Sequence, residues 1–372
     1  MSIGSLKTCI PSVALALLIS TAASAAQPGL YLGADMSAVN QVQDCGGVYR
    51  DRGQLVDPFK LMADKGGNLV RVRIWVHPDG KYSTLEDAMK TARRAKDAGM
   101  QVLLDFHYAD TWADGDKQPV PKAWEKIGYQ GQIDALYAYT RNVLGKFAAA
   151  GLMPEMVQVG NEINPEMLGA FVGKPIDWKR DALIINAGIR AVKDEGHAAG
   201  KTPLIMLHVA QPENIIPWFT AATKAGVKGY DLIGISYYKK WSSRTIPQLG
   251  TTIAEAKQRF HKGVIVVETA YPYTEEDSGK APLILGPDAL IPGYPATPEG
   301  QLKYLTDLTQ TVVDNGGIGV VWWEPAWIST QCKPQGVFGS GSPWENATWF
   351  DYRKGNEALP AFDFLSRSYR RK

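Results

Sequence analysis

The chain has 372 residues, and 40 lysines and arginines nearly cancel 38 aspartates and glutamates, leaving a formal charge of +2. Basic and acidic residues alternate along it, which excludes the one-sided basic excess of a nucleic-acid-binding protein. With 45% apolar and 21% charged residues, the composition is that of a globular protein and not of a disordered or fibrous one.

The first 26 residues read as an export signal: Lys7, the apolar run from Val13 to Ile19, then the small residues Ala22 to Ala26 around an A-x-A-like cleavage region. The run is too short to span a bilayer, and no later stretch reaches about 18 apolar residues. The mature chain, 27–372, is therefore expected to be exported, to a periplasm or beyond the cell, with no membrane association once the signal is removed. It keeps two cysteines, Cys45 and Cys332. An even pair in an oxidising compartment suggests a disulfide, against the alternative of two unrelated thiols.

From Tyr31 onward, short β-branched runs alternate with helical patterns about eight times. The runs are Tyr31 to Ser37, Leu69 to Val76, Gln101 to Tyr108, Met156 to Ile163, Pro203 to Ala210, Asp231 to Tyr238, Val264 to Tyr271 and Ile318 to Trp323. Each is nearly continuous in apolar residues, as parallel strands covered on both faces are. Ser83 to Ala98 shows the helical half of the unit, with a Ser83/Glu86 capping box, an apolar stripe of Leu85, Ala88, Met89, Ala92 and Ala95, and Gly99 as terminator. Eight such units predict an α/β fold, a single-domain (β/α)₈ TIM barrel. A doubly wound sheet is the alternative, but the chain has no Gly-rich phosphate loop. The Pro- and Gly-rich segment from Thr274 to Pro298 reads as one long loop at the mouth of the barrel.

Active sites of such barrels lie at the C-terminal strand ends. Here those ends carry arginines, histidines, carboxylates and aromatics where solvated turn residues are usual. Glu162 and Glu268 end the fourth and seventh strands, and two carboxylates facing across the mouth suit glycoside hydrolysis. At a separation of about 5 to 5.5 Å they would retain anomeric configuration, one as proton donor and one as nucleophile. Arg73 is a candidate for the cation that keeps Glu268 ionised. The alternative is that each glutamate is a rim ion-pair partner.

The motifs Gly33-Ala-Asp35-Met-Ser37, Arg71-Val-Arg73-Ile-Trp75, Leu104-Asp-Phe-His107-Tyr-Ala-Asp110-Thr-Trp112-Ala-Asp114, Val159-Gly-Asn-Glu162-Ile, Ser236-Tyr-Tyr238, Val267-Glu268-Thr and Trp323-Glu-Pro-Ala-Trp327 resemble glycoside hydrolase family 53, the endo-β-1,4-galactanases. The Asp-Thr-Trp-Ala-Asp and Trp-Glu-Pro-Ala-Trp segments carry most of that resemblance. It implies Glu162 as acid/base, Glu268 as nucleophile and Asn161 on the sugar 2-hydroxyl. Asn161 and Glu162 are adjacent, so both can face the site only if the strand ends or bulges there. The resemblance further implies Arg73 and Tyr237 or Tyr238 against the nucleophile, and His107 and His208 on the cleft floor, with a structural histidine the alternative for each. Asp110, Trp112, Trp323 and Trp327 are expected on the substrate, Trp323 beneath the sugar at the cleavage point. Trp75 and Trp241 also follow strands and are further candidate platforms, since a sugar's C–H face stacks on indole.

The chemistry requires no metal or other cofactor. Some relatives hold calcium in the loop after strand seven, where this chain offers Glu275, Glu276, Asp277 and Asp288; a solvated acidic turn is the simpler reading. The expected protein is an exported monomer acting on a neutral polysaccharide, the β-1,4-galactan side chains of pectin, by retention. Mannan or cellulose is the rival substrate, and a non-catalytic glycan-binding barrel the rival of another class.

Overall fold

A computed structural model describes residues 1–2, 29–169, 173–336 and 341–371; the export signal expected at 1–26 lies outside the described residues but for the first two. Eight parallel strands, β1 (Tyr31–Asp35), β2 (Leu69–Ile74), β3 (Gln101–Phe106), β4 (Met156–Val159), β5 (Leu204–Ala210), β6 (Leu232–Ser236), β7 (Gly263–Glu268) and β8 (Gly319–Trp322), close into a barrel in which β1 pairs with both β2 and β8. Around it lie α1 (Val39–Asp44), α2 (Pro58–Asp64), α3 (Leu85–Asp97), α4 (Gly128–Ala149), α5 (Trp178–Ala198), α6 (Pro212–Lys224), α7 (Ile246–Phe260) and α8 (Pro298–Asp314). The predicted barrel is thus the observed one.

Strand alternation sorts the side chains into two cores. Leu69, Leu103, Met156, Met206, Leu232, Ile265, Val267 and Val321 point inward and fill the barrel. Val70, Val72, Val102, Leu104, Val157, Ile205, Leu207, Ile233 and Val264 point outward and pack under the helices. Because both faces are buried, the strands read as unbroken apolar runs.

Three local features differ from expectation. Every strand but β5 ends before its apolar run does; after β3, β4 and β8 the residues Tyr108, Glu162 and Glu324 take left-handed φ values of 50°, 44° and 46° and leave the ladder. Helix α3 is capped one residue later than predicted: Thr84 accepts the Asp87 N–H at 3.2 Å, while Ser83 sits outside the helix at φ 56°. The eighth helical position is taken by a 3₁₀ stretch, Pro360–Ser366, which buries Ala361, Phe362, Phe364 and Leu365 beside α8. A small sheet of Tyr49–Asp51, Gln54–Val56, Phe350–Asp351 and Glu357–Ala358 joins the first barrel unit to the last. Strands of two or three residues carry no periodicity to read. Among the described residues, no helix is long and apolar enough to cross a membrane.

Cys45, at the end of α1, is bonded to Cys332 in the segment after β8, with Cα atoms 5.6 Å apart across 287 residues of sequence. The Gln41 side chain accepts the Gln335 N–H beside the bridge. Closing so long a loop restricts the unfolded chain, so Cys332→Ser should lower unfolding stability by about 2–4 kcal/mol. Urea denaturation of the two proteins checks this; equal midpoints would mean that the bridge adds no net stability.

Candidate active site

Above the apolar layers, the inward positions of the strands turn polar. Arg71 of β2 is fully buried and is the hub. Its guanidinium donates to Asp35 of β1 (3.0 Å), Asp105 of β3 (2.8 Å), Gln158 of β4 (3.2 Å) and the side-chain amide oxygen of Asn161 (2.7 Å). Burial alone would raise Asp105, but Arg71 and then His107 outweigh it and hold the carboxyl low. Burial would likewise favour neutral Arg71, yet Asp105, Glu268 and Asp35 hold it firmly charged.

Two backbone devices bring the glutamates onto this layer. In β7 the partner of β6 jumps from Val266 to Glu268 between Ile235 and Ser236, a bulge that turns Glu268 inward just after inward-facing Val267. After β4, Gly160 and Glu162 both adopt positive φ, 86° and 44°. The alternation is broken there, and the adjacent Asn161 and Glu162 both line the cleft.

Glu162 is half-buried. Its Oε1 accepts the Ser236 hydroxyl at 2.5 Å and its Oε2 the Gly115 N–H at 3.0 Å. Burial raises its pKa above the ordinary glutamate value, with Ser236 and Gly115 opposing and the charge of Asp114 adding. His208 sits behind it. Its Nδ1 accepts the Glu162 N–H at 3.2 Å, and the Ser236 hydroxyl is already donated to Glu162, which together assign the ring proton to Nε2, 2.8 Å from Ser236 Oγ. Burial, and next Arg71, drive its pKa far down, so the ring is neutral.

Glu268 is buried. Oε2 accepts the Tyr238 hydroxyl at 3.1 Å. Oε1 stands 2.8 Å from Arg71 Nη1, but no N–H is aimed at it, so it takes the cation's field and keeps its lone pairs. Burial pushes Glu268 up to about 8; Arg71 opposes this, while Glu162, Asp105 and Asp35 add to it. Oxygen atoms of Glu162 and Glu268 and a ring nitrogen of His208 lie within 4.8 Å of one another. That separation matches the roughly 5 Å spacing of two carboxylates with no water between them, well under the 6.5 Å or more of inverting pairs.

The cleft above has a volume of about 1090 Å³, above the roughly 300–1,000 Å³ of sites for drug-sized ligands. Of the residues predicted to bind substrate, Asn161, Trp112, Tyr238, Trp323 and Trp327 line it together with both glutamates. Trp112 stacks on Trp327 with centroids 6.3 Å apart, and its indole N–H donates to the Gly336 carbonyl.

The others lie elsewhere. Arg73 does not reach Glu268: it pairs with buried Glu324 at 2.5 Å and lies over the Trp112 ring at 4.5 Å. It is one inward step nearer the rim than Arg71, which takes the role expected of it. Tyr237 points outward by alternation and donates to the Arg244 carbonyl, leaving Tyr238 as the tyrosine on Glu268. His107 and His208 lie beneath the floor, His107 accepting from the Ala113 N–H at 3.2 Å. Asp110 accepts the backbone N–H groups of His77 and Lys122 and so fixes loop shape. Trp75 is buried edge-on against Trp112 and His107, whereas Trp241 lines the cleft and is 47% exposed.

In the loop after β7, Glu276 pairs with Arg353 and Asp288 with Lys240, and Asp277 accepts the Gly279 N–H. Sequence reading did not single out Ser236, Gly115, Gln158, Trp178, Trp218 or Trp344 for the site. Ser236 and Gln158 could have been found as inward residues of β6 and β4; the others come from loops and helices whose direction no periodicity gives.

Comparison with known proteins agrees with this geometry. Residues 31–365 match the model of glycosyl hydrolase family 53. The chain is 48% identical over 363 residues to the arabinogalactan endo-β-1,4-galactanase of Cellvibrio japonicus (strain Ueda107), covering 96% of each chain. It is 36% identical to the endo-β-1,4-galactanase of Bacillus subtilis (strain 168), over 82% of this chain and 71% of that one. Among solved structures, the family 53 catalytic domain of Ignisphaera aggregans superposes with a TM-score of 0.82 at 31% identity, covering 92% of this chain and 97% of that one. A fungal β-1,4-galactanase does so at 0.77 and 28%, covering 91% and 99%. The chain is a glycoside hydrolase and belongs to glycosyl hydrolase family 53.

Proposed function

We propose that the protein is an exported, retaining endo-β-1,4-galactanase that cuts the galactan side chains of pectin by double displacement. The observation that carries the retaining mechanism is the pair of carboxylates within 4.8 Å. The substrate is supported by the named activities of the relatives above. Export is supported by the N-terminal pattern and by the Cys45–Cys332 bridge, which belongs to an oxidising compartment. We take the monomer as the working unit.

Two carboxylates this close titrate as a pair that retains one proton across a wide pH range. We place the anion on Glu268, because Arg71 and the Tyr238 hydroxyl stabilise charge there, whereas Glu162 has only neutral donors. Glu268 attacks the anomeric carbon as the bond to the leaving oxygen breaks, and that oxygen takes the Glu162 proton. Glu162, now ionised, removes a proton from water. The hydroxide attacks the same carbon and releases Glu268, so configuration is inverted twice. Asn161 donates one amide hydrogen to the Ala113 carbonyl; its second is available for the 2-hydroxyl. Trp323 forms the platform under the ring being cleaved.

The test is reducing-sugar release from β-1,4-galactan, mannan and carboxymethylcellulose, with the first-formed anomer followed by NMR. Galactan cleavage with β-anomer appearing first is expected. Activity confined to mannan or cellulose would overturn the substrate, and α-anomer first would overturn retention.

A further inference from the structure

Most connections at the mouth of the barrel are long: residues 107–127 between β3 and α4, 160–177 between β4 and α5, and 269–297 between β7 and α8. The fifth is a single residue. β5 ends at Ala210 and α6 begins at Pro212, with Gln211 alone between them at φ 67°. One left-handed residue turns strand into helix, and a proline at the first helical position gives up no hydrogen bond.

The fifth connection therefore raises no loop over this sector, and the cleft wall above β5 is helix. Asn214, Pro217, Trp218 and Ala221, spaced three and four apart, present one face of α6 to the cavity, and Trp178 at the start of α5 presents its ring beside them. Trp178 and Trp218 meet edge to face, with centroids 5.3 Å apart. Trp178 is partly exposed, and Trp218 is held by Phe219 on its other side. This sector adjoins the proton donor: a Cβ on Gly115 would lie 3.5 Å from Ala210 Cβ and 3.7 Å from Glu162 Oε2.

The two glutamates divide the cleft. One arm carries Trp323, Trp112, Trp327 and Trp344, rings in mutual contact from the third connection and the segment after β8. It contains the platform of the ring whose anomeric carbon reacts. The acid must stand at the glycosidic oxygen, so the departing sugar lies on the Glu162 side, away from that platform. The second arm is the α5–α6 wall.

We propose that Trp178, held in place by the buried Trp218 ring, forms a leaving-group-side subsite that stacks a galactosyl ring beyond the cleavage point and biases the enzyme toward cuts within a chain. The proposal rests on the galactanase reading and adds to it a place for the sugar that departs.

The test compares wild type with Trp178→Ala on two substrates: a β-1,4-galacto-oligosaccharide of defined length, and a nitrophenyl β-1,4-galactobioside whose leaving group carries no sugar. Trp178→Ala is expected to lower kcat/KM on the oligosaccharide roughly tenfold more than on the nitrophenyl substrate, and to move its cleavage positions. Trp178→Phe should restore most of the difference, and Trp218→Phe, which keeps an aromatic ring in the helix wall, should show the same bias more weakly. Equal loss on both substrates, or loss on neither, would overturn the subsite. Failure of the wild type to cut any galacto-oligosaccharide would overturn the galactanase reading itself, and with it the galactosyl identity of the occupant.

Discussion

Glu268→Ala is expected to lower galactan hydrolysis roughly 10⁴-fold or more, because the covalent route is lost. Added azide should restore turnover of a nitrophenyl substrate and yield the α-galactosyl azide, the small anion attacking from the space the carboxylate left. Glu162→Gln should lose about 10²–10⁴-fold on galactan and far less on the nitrophenyl substrate, whose leaving group needs no proton. With Glu162→Ala, azide should intercept the glycosyl-enzyme and give the β-azide. Opposite stereochemistry in the two variants identifies which glutamate attacks. If both variants gave β-azide, Glu268 would not be the nucleophile.

Arg71→Met is the second large effect, and it acts on both stability and rate. It leaves Asp35, Asp105 and Glu268, all buried, facing one another with no cation between them. Removing one partner of a buried ion pair costs about 3–5 kcal/mol, so a large fall in the urea midpoint is expected. Burial already raises the pKa of Glu268, with Arg71 as the opposing influence. Without that cation its pKa rises further, less of the nucleophile is ionised at a given pH, and the acid limb of kcat/KM moves to higher pH. Arg71→Lys keeps the charge but not the planar fork that serves four partners, and should fall between the two. Arg73→Met removes the partner of Glu324 and should destabilise the fold while leaving the acid limb in place. A limb that moved with Arg73 and stayed with Arg71 would reverse the assignment.

The contrast between these arginines shows where sequence reading stops. Arg71 and Arg73 are both inward on β2, and their motif marks them equally. What separates them is depth, set by the stagger of the neighbouring strands, and a strand read alone carries no information on stagger. The two tyrosines were undecided for a simpler reason: alternation separates Tyr237 from Tyr238 once the phase of β6 is known, and a continuous apolar run conceals the phase. The glutamates were legible because a charged residue ending an apolar run needs a reason to be there, although the bulge that turns Glu268 inward left no mark in the composition. Asp110 misled because a carboxylate at a strand end serves equally well as an acceptor for backbone N–H groups.

The single residue between β5 and α6 has one more consequence. An open end of a cleft need not be specified by any side chain; it can be specified by how few residues the chain spends in turning. Substrate range in such a barrel is then written partly in connection lengths, which substitution leaves untouched and which insertion alters in one step. A segment added after Ala210 would raise a barrier where Trp178 now stands partly open, and a groove that admits a long polymer from both sides would become a blind pocket fitted to chain ends.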